Sequence, residues 1–505
     1  MLLMNEANAP RRVMKPDSSI RASEEKSTTI AVPSNLLPLV VDLDNTLVKT
    51  DLLIETLFCL LRQAPLSLFA VPDWLFKGRA HLKHETARRV QLDVAALPYC
   101  TALLQYLQIE HGKGRSIVLA TASDERLARQ VADHLKLFDS VLASDGKTNL
   151  SGERKREQLV CRFGERGFDY AANGACDLAV WSSARKAIVI NPKPGLLRAV
   201  AGVTEVQCVF EDPSAGLTEY VNALRPQHWL KNLLVFVPVF AAHRIYEPVL
   251  MERAFLAFTA FCACASCGYL FNDLLDLSAD RHHPRKCLRP FASGRLPLSY
   301  ALIIGPGLVA LGCVLAASVS RGLVTVLLLY FALTVIYSLY IKKVALLDVI
   351  VLAGLYTLRI MAGAVAVAIW PSEWLLAFST FLFLSLALVK RYDELVAMRR
   401  VDGDQARARS YEIGDEELLA SKGTASGYIA VLVLALYITS GAAKALYRKP
   451  EFMWFLCPLL LYWVGHMWLV AHRGQMIDDP FVFALRDRTS RVLLVLMVGT
   501  ALLAI

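Results

Sequence analysis

No set of cysteines and histidines in this 505-residue chain is spaced to close around a structural metal. Cys262, Cys264 and Cys267 lie near one another, but no histidine or fourth cysteine completes a tetrahedral set. At ~100° per residue the three spread around a helix, where they read as small packing residues. The 11 cysteines are scattered and odd in number, which argues against a disulfide framework and suits reduced thiols. The polar first thirty-odd residues lack an apolar core of about 7–15 residues, so the expectation there is a disordered tail over 1–36 and no cleavable signal peptide. No matched pair of interrupted apolar segments stands out, which argues against a transporter. Asp348 and Arg359, charges inside one apolar segment, read as a polar contact within a bundle. Acidic residues are the minority, with 45 Asp and Glu against 54 Lys and Arg, a net charge of +9.

What is present divides in two. Up to about Tyr220, short apolar runs alternate with charged stretches, as in a soluble α/β domain. Beyond Asn222, apolar segments dominate, several of them reaching the roughly 18–20 residues that cross a bilayer core. Nine can be marked: Leu233–Ala242, Phe255–Phe271, Leu302–Val319, Val324–Ile341, Leu346–Ile369, Trp374–Val389, Tyr428–Ala445, Met453–Val470 and Val492–Ile505. Loops after even-numbered spans carry eighteen Lys and Arg, against six in the others. That asymmetry predicts a cytoplasmic N-terminal domain and cytoplasmic polar loops, in a multi-pass protein of the cell membrane. It also accounts for the surplus positive charge without nucleic acid.

In the first half, LPLVVDLDNTL reads as a buried strand that delivers Asp42 and Asp44 to one sheet edge. One carboxylate can attack phosphorus while the other handles the leaving-group proton. A second strand, SIVLATAS, ends in Thr121 with Ser123 beyond it; Lys155 lies at the start of a helix in LSGERKREQL. FDYAANGACDLAVW then brings Asn173 and Asp177 after a short strand. This order of motifs, over about Leu37 to Val209, resembles the haloacid dehalogenase (HAD) superfamily. The resemblance implies a Rossmann-like fold with a small helical cap over Asp51–Leu97. It implies Asp42 as nucleophile, Asp44 as general acid and base, and Thr121 and Lys155 on phosphate. Asp42, the Asp44 carbonyl and Asp177 would hold Mg²⁺. Asn173 departs from the family's usual acid, which would weaken metal affinity and leaves open a non-catalytic scaffold.

In the second half, NDLLDLSADRHHPRKCLRP follows an apolar segment. Continued as helix, Asn272, Asp273, Asp276 and Asp280 fall on one face over two turns. Carboxylates stacked this closely repel one another, and Mg²⁺ with phosphate oxygens relieves them. Arg281, Lys286 and Arg289 follow, placed to meet the same phosphates. With RPQHWLKN upstream, the pattern resembles the UbiA superfamily of intramembrane prenyltransferases. Most members carry a second D-x-x-x-D motif after the sixth span. This chain has LVKRYDELVAMRR there, and a charged last loop, HRGQMIDDPFVFALRDRTSR. These blocks look like the decaprenyl-phosphate phosphoribosyltransferase branch, which joins a polyprenyl phosphate to 5-phosphoribosyl diphosphate (PRPP).

The branch resemblance implies Asp273, Asp276 and Asp280 on Mg²⁺-diphosphate, and Asn272, Arg281, Lys286, Arg289 and Lys231 on substrate. Lys390, Arg391 and Tyr392 are candidates for the lipid phosphate or the 5-phosphate, though the first two also obey the charge asymmetry. Asp479 and Asp487 would serve a second metal or pair with Arg473, Arg486 and Arg488. The expected organisation is a HAD-like domain over 37–210, a linker over 211–221 and a UbiA-like domain of nine helices over 222–505. Expected partners are polyprenyl phosphate, PRPP, the bilayer and, as a possibility left open by the sequence, a second copy of the chain. The rival activity is aromatic prenyl transfer from a prenyl diphosphate.

Overall fold

The computed structural model describes residues 36–212, 215–283, 285–402, 407–408, 410–476 and 479–505. The expected tail, but for Leu36, lies outside them.

Six parallel strands form the sheet of the first half: β1 (Leu39–Val41), β2 (Ile117–Asp124), β3 (Ser140–Ser144), β4 (Asp169–Ala172), β5 (Lys186–Ile190) and β6 (Glu205–Phe210). Their spatial order is β3-β2-β1-β4-β5-β6. A parallel sheet is covered on both faces, which is why β1 is an unbroken apolar run. Leu39 and Val41 enter one core cluster and Val40 the other, as strand alternation requires. β1 lies between β2 and β4, so the strand order switches beside it. Doubly wound sheets bind ligands at the carboxyl ends of the strands flanking such a switch.

The cap expected over Asp51–Leu97 is helical: α1 (Leu52–Gln63), α2 (Val71–Phe76) and α3 (Arg79–Arg89). Asp51 caps α1 by accepting from Leu53 N at 2.9 Å and Ile54 N at 3.2 Å. Around the sheet run α4 (Thr101–Gly112), α5 (Glu125–Leu135), α6 (Glu153–Phe163), α7 (Leu178–Ser183) and α8 (Leu196–Ala201). The expected linker is already helical from Leu217, where α9 (Leu217–Ala223) begins.

The second half is mainly helical, apart from a short antiparallel pair of strands at Arg407–Ala408 and Tyr411–Glu412: α10 (Val237–Ala241), α11 (Pro248–Leu275), α12 (Leu277–His282), α13 (Leu298–Val319), α14 (Arg321–Leu339) and α15 (Leu347–Val367). α16 (Glu373–Asp402), α17 (Glu416–Thr439), α18 (Gly441–Leu446), α19 (Leu456–His472), α20 (Pro480–Arg486) and α21 (Arg488–Ala504) complete it. Among the described residues, seven helices rather than nine are long and apolar enough to cross a membrane. The first expected span is instead a 3-10 stretch, Pro226–Phe236, followed by the five-residue α10, which has a proline at its start. The last is α21, whose 17 residues span about 25 Å, short of a ~30 Å hydrocarbon core.

The 3-10 stretch lies against α15 because Gly363 admits it: a Cβ there would stand 1.9 Å from Val235 O. Cys262, Cys264 and Cys267 are buried free thiols on α11, in keeping with packing by small residues. Asp348 and Arg359 do not pair. Arg359 donates to Asn232 and Tyr330, and Asp348 accepts from Arg391 at 2.5 Å and from Tyr411 at 2.6 Å. Asp348 and Arg391 are both fully buried. Removing one partner strands the other, so Asp348→Ala is expected to cost roughly 3–5 kcal/mol. Thermal unfolding in detergent checks this, against Glu417→Ala at an exposed position as a control.

The two halves share a core. Ile54 and Phe58 of α1 pack on Leu270, Leu274, Leu277, Phe291 and Leu296 of the membrane half. Gly294 (φ +71°) lets the loop after α12 approach the soluble half, since a Cβ there would meet Lys49 Cβ at 2.8 Å.

Candidate functional site

At the carboxyl ends of β1, β2 and β4, the first-half motifs come together as expected. Lys155 donates to Asp42 Oδ1 at 2.8 Å and stands 3.6 Å from Asp177 Oδ1, so two carboxylates converge on one ammonium. Asp44 Oδ2 accepts from Ser123 Oγ at 2.6 Å, and its Oδ1 from Leu52 N at 2.9 Å. Thr121 is fully buried in the second half of β2, its hydroxyl accepting from Ser123 N at 3.0 Å. Burial pushes the Asp42 carboxyl up to about 6; Lys155 pulls against this, and the charges of Asp177 and Asp44 add to it. Burial raises Asp44 too, with Asp51 adding to it.

Sequence reasoning missed Tyr170, on β4. Its hydroxyl accepts from Lys155 at 3.0 Å and donates to Asp177 at 2.9 Å, fixing both. It also missed two cap residues at the mouth of this site. Lys83 donates to Ala122 O at 2.7 Å, and His84 pairs with Asp124 at 2.9 Å.

The membrane-half site departs further from expectation. α11 ends at Leu275, and Asp276 is its C-cap, outside regular helix before α12 begins. The motif is therefore not one continuous acidic face. It forms two nodes, the first closed by two cations and the second by one. Arg289 Nη1 reaches Asp280 at 2.5 Å and Asp273 at 3.4 Å, and Arg225 also pairs with Asp273. Lys342 Nζ donates to both oxygens of Asp276 at 2.9 Å and to Asn272 Oδ1 at 3.2 Å. Arg225 carries its guanidinium here from a strained left-handed conformation (φ +54°).

A third node lies beside these. Asp479 accepts from Lys231 at 2.8 Å and from Lys390 at 3.0 Å. Among the described residues, two ammonium groups on this one carboxylate leave a local excess of positive charge. Burial of Asp479 opposes ionisation, but the two lysines prevail and hold its carboxyl far below the ordinary range. Lys231 is positioned because Trp229 donates to Ser266 at 2.9 Å and Asn232 accepts from Arg359 at 2.8 Å, pinning the 3-10 stretch on both sides.

Three expected substrate ligands are directed elsewhere. Arg281 turns to the soluble half, donating to Glu55 at 2.6 and 2.9 Å, while Thr50 donates to the same carboxylate at 2.5 Å. Arg391 is consumed by Asp348, Glu394 and Tyr337 in the bundle interior. Tyr392 is buried, with its hydroxyl 2.8 Å from His472. Lys286 opens a 3-10 turn with its side chain exposed. Asp487 pairs with His466 rather than an arginine and caps α21 through Ser490 N.

Among the described residues no three acidic, histidine or cysteine side chains converge as a metal cage. The donors present are nevertheless hard carboxylates taken in pairs, Asp42 with Asp177 and Asp273 with Asp280, each pair converging on one cationic nitrogen. One or two carboxylates, completed by phosphate oxygens and water, is how Mg²⁺ is usually held. The donor chemistry of both sites fits that ion, with Lys155 and Arg289 free to turn to phosphate when it binds.

A model of the UbiA prenyltransferase family matches residues 233–485. The uncharacterized protein y4nM of Sinorhizobium fredii is 35% identical over 93% of this chain and 91% of its own length, so the match runs through both halves. Nodulation protein NoeC of Azorhizobium caulinodans is 40% identical over 56% of this chain and 91% of its own. Decaprenyl-phosphate phosphoribosyltransferase of Mycolicibacterium smegmatis is 30% identical over 59% of this chain and 95% of its own. The latter two are nearly used up by alignments of 285 and 305 residues, so little of either remains to match the soluble half.

Proposed function

The chain belongs to the UbiA prenyltransferase family, and from that premise we propose that its membrane half transfers 5-phosphoribose from PRPP to a polyprenyl phosphate. The observation that carries this reading is the Lys231–Asp479–Lys390 node. Where an aromatic prenyltransferase would hold its diphosphate with a second aspartate motif, this chain presents two ammonium groups on one carboxylate. A site with acidic nodes for a metal-bound diphosphate and a cationic node for a separate phosphate suits this substrate pair. The 30% identity to a decaprenyl-phosphate phosphoribosyltransferase along 95% of that enzyme supports the same reading.

In the reaction, the bond from ribose C1 to the diphosphate oxygen breaks and a bond from C1 to a lipid-phosphate oxygen forms. The lipid phosphate is already an anion, so positioning and charge neutralisation suffice without a strong base. Arg225, Arg289 and Lys342 would turn from their carboxylates to the diphosphate, and Lys231 and Lys390 would anchor the second phosphate. A divalent ion, Mg²⁺ by the hardness of its donors, would be held by Asp273, Asp276 and Asp280 and would neutralise charge on the departing diphosphate.

The soluble half would be a HAD-type phosphatase that removes the 5-phosphate from the lipid product. Asp42 would attack phosphorus as the bond from phosphorus to the ribose 5-oxygen breaks, Asp44 giving its proton to that oxygen to leave a hydroxyl, and water would then release inorganic phosphate from Asp42. Thr121, Lys155 and a divalent ion held by Asp42, the Asp44 carbonyl and Asp177 would hold the phosphoryl oxygens. Both sites would face the cytoplasm, the side to which the excess of Lys and Arg assigns the polar loops.

Purified protein given PRPP and polyprenyl phosphate is expected to form a ribosylated lipid, whereas prenyl diphosphate with 4-hydroxybenzoate gives no prenylated ring. The reverse pattern would restore the aromatic prenyltransferase reading. A nucleophilic Asp42 has to be ionised, and its carboxyl is raised to about 6. Hydrolysis of a soluble phosphate ester should therefore fall as pH drops through about 6, rather than through the ordinary value near 4. Initial rates at low divalent-ion concentration locate this limb, and saturating Mg²⁺ should move it to lower pH.

A further inference from the structure

The stretch PLSLFAVPDWLF, from Pro65 to Phe76, carries apolar side chains on both of its sides, with Asp73, paired to Lys77 at 2.7 Å, the one charge within it. Inward, Leu68, Ala70, Val71 and Trp74 pack on Leu60, Leu82 and Val90. Outward, Leu66 is 81% exposed, Phe69 85%, Leu75 54% and Phe76 92%. Elsewhere on the soluble half, exposed large apolar side chains stand apart from one another, such as Ile109 at 58%, Leu197 at 39% and Val209 at 36%. Scattered ones are ordinary, but four within eleven residues form a patch that asks for a partner.

Its position indicates which partner. α1 leads into the stretch and lies against α11, with Phe58 and Phe271 ring centroids 6.5 Å apart. Arg62 donates to Leu275 O at 3.5 Å, and Leu275 is the last residue of a helix long and apolar enough to cross the membrane. The apolar stretch therefore begins three residues beyond a contact with the end of a crossing helix. Arg62, Lys77 and Arg79, all exposed, flank it. Apolar residues bordered by cations are the composition of an interfacial membrane contact.

We infer that Pro65–Phe76 lies in the headgroup layer of the bilayer, with Leu66, Phe69, Leu75 and Phe76 against acyl chains and the cations on anionic lipid. α3 follows directly after the turn at Gly78 (φ +111°), and it carries Lys83 and His84 to the mouth of the Asp42 site. The contact holds that mouth at the membrane surface, so a lipid-borne phosphate reaches Asp42 without leaving the bilayer. This consequence rests on the phosphatase reading; the membrane contact does not.

The test places a benzoyl-phenylalanine photo-crosslinker at Phe69 or Phe76 of the full chain, in nanodiscs of phosphatidylglycerol and phosphatidylcholine. Irradiation is expected to add the mass of one lipid. No adduct, or a crosslink to a second copy of the chain, overturns the inference. A Phe69→Ser/Phe76→Ser variant should keep its rate on soluble p-nitrophenyl phosphate and lose about tenfold in kcat/KM on the lipid-borne phosphate, the loss of a raised local concentration. Equal loss on both substrates contradicts the surface role. Should the soluble half hydrolyse nothing, the phosphatase reading falls, and the lipid adduct still decides the membrane contact.

Discussion

Asp276→Asn is expected to lower phosphoribosyl transfer about 10²–10³-fold, the scale of losing one preorganised charge contact in a dry site. Hydrolysis of a soluble phosphate ester by the other half should be unchanged. Asp276 is the informative choice among the three motif acids. Asp273 holds Arg225 and Arg289 and is itself buried, so its substitution leaves two guanidinium groups short of a partner and risks the fold. Asp276 is less enclosed, at 23% side-chain exposure, and Lys342 keeps a contact with Asn272 when the charge is gone. The asparagine preserves volume at the C-cap of α11. The measurement is kcat with saturating PRPP and lipid phosphate, beside thermal unfolding. Unchanged unfolding with a collapsed kcat assigns Asp276 to the reaction, whereas an unchanged kcat removes it from the site.

Asp42→Asn is expected to stop phosphate release altogether, a loss on the order of 10⁴–10⁶-fold typical of removing a nucleophile. The transferase should run on, so that lipid product accumulates heavier by one phosphoryl group. Lys155 retains Asp177 and Tyr170 as partners in this variant, so the local network persists. Lys155→Met would be a poorer test, because it leaves Asp42 and Asp177 facing each other without a cation between them.

The soluble site is largely legible in the sequence. Each of its motifs sits at the end of a buried parallel strand, or at a helix start, and the topology of such a sheet brings those ends together. Tyr170 escapes because nothing in a buried strand marks a tyrosine as anything but core. The membrane site is less legible, for physical reasons. Periodicity extends a helix through Asp276, since neither glycine nor proline announces the break. Lys342 reads as one more cytoplasmic cation until Asp276 is found beside it, 66 residues away. Arg281 looks like a phosphate ligand because it follows the acids, yet its partner, Glu55, lies 226 residues earlier in the other half. Arg391 stands next to Lys390 in sequence, but helix geometry sends the two to different faces, one to the interior pair with Asp348 and one to Asp479. The spans near the ends of the membrane half are overcounted because apolar composition alone does not distinguish a 3-10 stretch or a 17-residue helix from a crossing one.

The Glu55–Arg281 pair also ties the two halves together. The helix that carries Asp280, α12, is tied to α1 through Arg281, and α1 begins at Leu52, whose amide is held by Asp44. The two candidate sites are therefore built on adjoining elements, an arrangement suited to passing a phosphorylated lipid from one to the other.

The central claim is that one chain makes a phosphoribosylated lipid and then dephosphorylates it. Mass analysis of the lipid products formed from PRPP and polyprenyl phosphate, by the unaltered protein and by Asp42→Asn in parallel, tests it most directly. The account predicts polyprenylphosphoryl-ribose from the first and its 5-phosphate from the second. The same lipid from both, or no ribosylated lipid from either, would contradict it.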